Sequence, residues 1–99
     1  MIIKSASNVP GKLHVTFQFP AAIWAESVYL VGDFNGWNSR SHPFTRLRDD
    51  GCWQVMIELE TGRAYQFRYL VNGTQWQNDN HADGSAPNPL GGDNSVILT

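Results

Sequence analysis

The side chains of this 99-residue chain best suited to holding a ligand are Trp37, Arg68, Trp76 and Asn94. Trp37 follows Asn35-Gly36, a pair that tolerates positive φ, at the end of the strand-like run Val28-Tyr-Leu-Val31. A flat aromatic placed there either caps a core or is offered to something flat. For Trp76 the question is register. If Val71-Asn72-Gly73 is a three-residue loop with Gly73 left-handed, Arg68 faces Trp76 across the ladder, and both point away from Phe67 and Tyr69. A two-residue Asn72-Gly73 loop would instead pair Trp76 with Tyr69 and bury it. The preference of glycine for the left-handed position favours the first arrangement.

Indoles, a guanidinium and a carboxamide on one sheet face match a pyranose sugar. Its axial C–H groups lie against a ring, and its hydroxyl rim needs donors and acceptors. If each indole removed roughly 60–100 Å² of apolar surface from water, each would contribute about 1.5–2.5 kcal/mol. Ordering costs subtract from that, so the expected affinity is roughly micromolar to millimolar, better for an oligosaccharide spanning both rings.

Other reactive types are less well placed for chemistry. Glu58 and Glu60 are two apart on one strand face, about 7 Å at strand rise, within reach of a glycosidase pair. A flat open sheet would neither raise one carboxyl pKa nor exclude water, so they read as a solvated face. The run Asp79-Asn-His-Ala-Asp-Gly84 hints at a calcium loop, but Leu90 stands where the closing glutamate should be. His81 lacks a paired metal ligand, and the run reads as turn chemistry, with Asn78 and Asp79 bonding local backbone. Cys52 has no catalytic partner, and His14 and His42 are isolated. No catalytic residue, metal or cofactor is expected.

The elements that must position these groups are strands. Leu13, Val15, Phe17 and Phe19 alternate with polar residues, between Pro10-Gly11 and Pro20. Trp53, Val55, Ile57 and Leu59 form a second alternating set, and Tyr65, Phe67, Tyr69 and Val71 a third, with Gln66, Arg68 and Leu70 on its other face. Phe44 to Arg48 reads as a short strand, and Asp49-Asp50-Gly51 as a hairpin turn. Ala21 to Ala25 fits a helical turn or a crossing loop. Residues 77–93 read as loop, and Asn94 to Thr99 as a closing strand. Trp24 and Trp53 are assigned to core or edge packing. About seven short strands without a convincing helix indicate an all-β sandwich in a single domain over residues 1–99.

Composition agrees. Apolar residues are 41% and charged residues 16%, as in a globular chain. A net charge of −2 gives no footprint for nucleic acid or an anionic membrane. One cysteine excludes an internal disulfide, and no segment reads as a signal peptide or a membrane span, so a cytoplasmic location is expected.

Several motifs in order resemble one family: Val28 to Trp37, Asp50-Gly51-Cys52-Trp53, Tyr65 to Gly73, Trp76, and Pro89-Leu-Gly-Gly-Asp-Asn-Ser95. Over about residues 12–98 they are similar to the isoamylase N-terminal (early-set) module, carbohydrate-binding module family 48. This glycogen-binding module is also found in the β subunit of the AMP-activated kinase. The resemblance implies an immunoglobulin-like sandwich that binds α-1,4-linked glucan (glycogen, starch or maltooligosaccharides) without cleaving it. Matched by position, Trp37 and Trp76 stack, Arg68 supplies the basic contact, Leu90 pushes into the sugar ring, and Asn94 binds hydroxyls. Gly92 stands where the kinase modules carry a hydroxyl residue, so one hydrogen bond of that site lacks its group here. The alternative is an early-set structural module that contacts a glucan-active enzyme or a second copy of itself.

Overall fold

Residues 2–19, 25–46, 52–79, 81–88 and 92–99 are described by a computed structural model. Trp24, the Asp49-Asp50-Gly51 turn, residues 21–24 of the ambiguous apolar run, and Leu90 lie outside them. Period-two alternation becomes strand wherever one face can be buried. β2 (Lys12–Phe19) and β5 (Trp53–Glu60) pair antiparallel along their full lengths, flanked by β1 (Ile2–Ala6) and the short β4 (Thr45–Arg46). The second sheet is built on β6 (Ala64–Val71). β3 (Val28–Gly32) lies on one side of β6, and β7 (Gln75–Gln77) and β9 (Asp93–Leu98) share the other. β8 (Gly84–Pro87) pairs with β9 at the edge.

The described residues thus form nine strands in two antiparallel sheets, rather than about seven. The two additional strands, β1 and β8, carry no alternation of their own. β8 is Gly-Ser-Ala-Pro within the stretch expected to be loop; pairing with β9, not propensity, makes it a strand.

Between the sheets lie Val15, Phe17 and Phe19 from β2, Leu59 from β5, Val28 and Leu30 from β3, and Phe67, Tyr69 and Val71 from β6. Phe17 meets Phe67 edge-on at 5.0 Å, and Phe19 and Phe44 meet Tyr69 the same way at 5.6 and 5.5 Å. Trp53 is partly buried against this core, as expected, with the Arg46 guanidinium over its ring.

The Tyr69 hydroxyl is a buried polar group that this aromatic cluster must satisfy. It donates to Asp79 Oδ2 at 2.6 Å, while Asp79 Oδ1 accepts the His81 amide. Burial, reinforced by the carboxylate, pushes the Tyr69 pKa far up. Asp79 therefore does bond local backbone. Asn78 reaches farther: its Nδ2 donates to the Asp93 carbonyl, and its Oδ1 accepts from Ser95 Oγ.

Candidate functional site

The outer face of the second sheet carries its own apolar floor. Val31 is 0% exposed and Leu70 7%, yet neither belongs to the core between the sheets. Both are on the face occupied by Arg68, since Val31 pairs with Arg68 and Leu70 with Tyr29. Something on that face must cover them, and large side chains do.

Trp76 is one. It pairs with Leu70, not Arg68, so the expected register is corrected by two positions. The loop has the expected three residues but comprises Asn72-Gly73-Thr74, because Asn72 as well as Gly73 takes a left-handed conformation (φ 55° and 73°). Asn72 Oδ1 accepts the amides of Glu26 and Ser27, and its own N–H donates to the Ser27 carbonyl. These bonds pin the hairpin. A two-position shift preserves the face, so Trp76 still shares the outer side with Arg68 and is 46% exposed.

Trp37 is held by a different device. A 3-10 turn over Asp33–Asn35 ends in left-handed Gly36, and Trp37 itself has φ 59°. For a bulky residue that conformation costs about 1–2 kcal/mol. The indole is nevertheless 36% exposed. Its Nε1–H donates to Asp33 Oδ1 at 2.9 Å, and the Gln66 backbone N–H donates to Asp33 Oδ2 at 2.8 Å. One carboxylate thus ties the ring to β6. The tight approach needs Gly32, where an added Cβ would fall 2.5 Å from the Gln66 carbonyl oxygen. Gln66 and Leu70, beside which the two indoles are anchored, are four residues apart, about 13 Å along the strand. A single ligand touching both rings would have to be extended on that scale.

The polar members differ from expectation. Asn94 comes level with Arg68, since the β6–β9 ladder ends at Phe67–Ser95. It is 5% exposed, however, and not a surface group. Its Nδ2 donates to Gln66 Oε1, and its Oδ1 accepts from Asn88 Nδ2. The amide is spent mainly on a relay that orders the β9 approach, leaving one N–H and one lone pair for anything else.

Arg68 Nε is buried with no hydrogen-bond partner, and its guanidinium runs beneath Gly92, where an added Cβ would lie 3.4 Å from Nη2. Gly92 has φ 75°, so the loop takes a path that a hydroxyl-bearing residue would strain to follow. Asp33 and Gln66 escaped sequence reasoning. An acidic residue after a strand is ordinary, and its partner lies 33 residues onward.

On the opposite sheet Glu58 accepts from Ser7 Oγ and contacts His14, while Glu60 pairs with Arg63 and Lys12. The Ser7 bond, joined by His14 and Lys12, lowers the Glu58 pKa and outweighs the opposing effect of burial. A glycosidase acid needs the reverse. Among the described residues no helix is long and apolar enough to cross a membrane.

The described residues form an immunoglobulin-like sandwich with two exposed indoles, Trp37 and Trp76, carried by its second sheet. The family model for carbohydrate-binding module 48, the isoamylase N-terminal domain, matches residues 10–84, and the chain belongs to that family. It is 44% identical over 69 residues to a 1,4-alpha-glucan branching enzyme, GlgB 2, of Xanthomonas campestris, covering 62% of this chain and 9% of that protein. The GlgB of Novosphingobium aromaticivorans is 43% identical over 53 residues, covering 50% of this chain and 7% of that protein. The chain thus corresponds to less than a tenth of these enzymes. Among solved structures, the enterobactin esterase FES of Shigella flexneri superposes with a TM-score of 0.76 at 12% identity, covering 99% of this chain and 32% of that one. That likeness is one of fold alone.

Proposed function

We propose that this module binds α-1,4-linked glucan through Trp37 and Trp76 and does not cleave it. The observation that carries the reading is the exposed pair of indoles, each fixed by its own local device on the second sheet. Arg68 stands between Gln66 and Leu70 on the same face of β6 and supplies donors to the hydroxyl rim. Asn94 acts chiefly by orienting Gln66, with Leu90 as the further apolar contact that the family pattern implies. The relatives' branching-enzyme names are consistent with a glucan as partner.

Affinity electrophoresis through glycogen tests this. Migration is retarded for the wild type and restored by Trp37→Ala or Trp76→Ala, each expected to weaken binding about tenfold or more, from roughly 1.5–2.5 kcal/mol per ring. An unretarded wild type would refute it. A second reading has its own observation: Ile3 and Met56 are exposed and face Thr16 from either side on the outer face of the first sheet. A module that packs against a glucan-active enzyme would use that row, leaving the tryptophans free.

A further inference from the structure

Beside Trp76 the same sheet face dips into a depression of about 380 Å³, lined by Tyr29, Ser39, Arg40, Leu70 and Gly73. Its volume is at the low end of the roughly 300–1,000 Å³ typical of small-ligand sites. Register locates it. Tyr29 pairs with Leu70 and Leu70 with Trp76, so the three side chains stand abreast on adjacent strands. At about 5 Å per strand, the depression begins one strand away from the Trp76 indole. It lies across Leu70 from that indole, on the β3 side.

The lining is chemically specific. Leu70 is a buried apolar floor, and Arg40 is an exposed cation. The Tyr29 and Ser39 hydroxyls and the Arg40 guanidinium make no hydrogen bond to another described residue. A planar fork of donors and two hydroxyls over an apolar patch suit a neutral polyhydroxyl ring. A lone guanidinium without a second cation is a poor phosphate site.

We infer that this depression is a second sugar subsite. It takes the glucosyl unit adjacent to the one stacked on Trp76, with Arg40, Ser39 and Tyr29 binding its hydroxyls over Leu70. The inference rests on the proposed glucan binding and extends it to residues on β3 and the loop that follows Trp37. Because Arg40 is exposed and its side chain bonds no described residue, replacing it leaves the fold unchanged.

The experiment titrates maltoheptaose into wild type, Arg40→Ala and Trp76→Ala. Affinity is read by calorimetry, and the backbone amides of Ser39, Arg40 and Gly73 are followed by NMR. Expected results are at least tenfold weaker binding in Trp76→Ala, about fivefold weakening in Arg40→Ala, as for one solvent-exposed hydrogen bond, and shifts of all three amides in wild type. Weaker binding in Trp76→Ala with unchanged affinity in Arg40→Ala and silent amides would overturn the subsite while leaving the tryptophan reading intact. Inorganic phosphate alone shifting those amides would also overturn it. A wild type that binds no maltoheptaose would fell both.

Discussion

Removing the Asp33 carboxylate tests whether the site is held ready before a ligand arrives. In Asp33→Ala the Trp37 indole N–H and the Gln66 backbone N–H lose their shared acceptor. A hydrogen bond to a charged group contributes about 1.5–3 kcal/mol when shielded, and both of these are exposed, so the expected stability loss is about 1–2 kcal/mol in total. The larger signature is in binding. A freed Trp37 must be ordered when sugar arrives, at about 0.5–1.5 kcal/mol, which weakens maltoheptaose binding roughly 2- to 12-fold. Asp33→Asn keeps one oxygen acceptor and can hold one of the two donors, so it falls between. Urea denaturation gives the stability term, calorimetric titration the affinity, and the Trp37 indole N–H resonance reports release of the ring. An Asp33→Ala protein that is folded and binds maltoheptaose as tightly as wild type would refute the clamp.

Three further outcomes follow from the geometry. Tyr69→Phe removes a buried hydroxyl that donates to Asp79, and urea midpoints should show a loss of about 1–3 kcal/mol with little effect on sugar affinity. Asp83 accepts the Leu98 backbone N–H and pairs with Lys4, which together depress its pKa below 3.8. Its stabilising contribution is therefore complete above that pH and is lost as pH falls through the lower folded value. Acid titrations of Asp83→Asn against wild type should converge there. Gly92→Thr restores the hydroxyl that kinase modules carry, but at φ 75° it should cost about 1–2 kcal/mol of stability without tightening glucan binding, as thermal melts and titration will register.

What the sequence discloses is the part of the fold in which neighbours along the chain decide the outcome. The alternation of β2, β5 and β6 is written residue by residue, and the left-handed preference of Gly73 announces the turn that delivers Trp76. The face of Trp76 is legible even though its partner is not, because moving a three-residue loop by one position changes the register by two and preserves the side. That one-position move comes from Asn72, whose side chain bonds Glu26 and Ser27, a contact spanning more than forty residues that no local pattern reports. β8 is hidden for the same reason: Gly-Ser-Ala-Pro becomes a strand only through β9.

The polar half of the site is illegible on stronger grounds. Asn94 has the right chemistry for a hydroxyl, but a carboxamide has few bonding positions, and Gln66 and Asn88 take one donor and one acceptor from it. A residue type reveals capacity, whereas only the fold reveals how much is already committed. With Asn94 buried and Gly92 without a side chain, the proposed glucan face relies first on its two exposed indoles. Such a face gains most of its energy from ring contact and little from hydroxyl geometry. If the proposed glucan binding holds, affinity rises with the number of sugar units in contact rather than with the fit of any one.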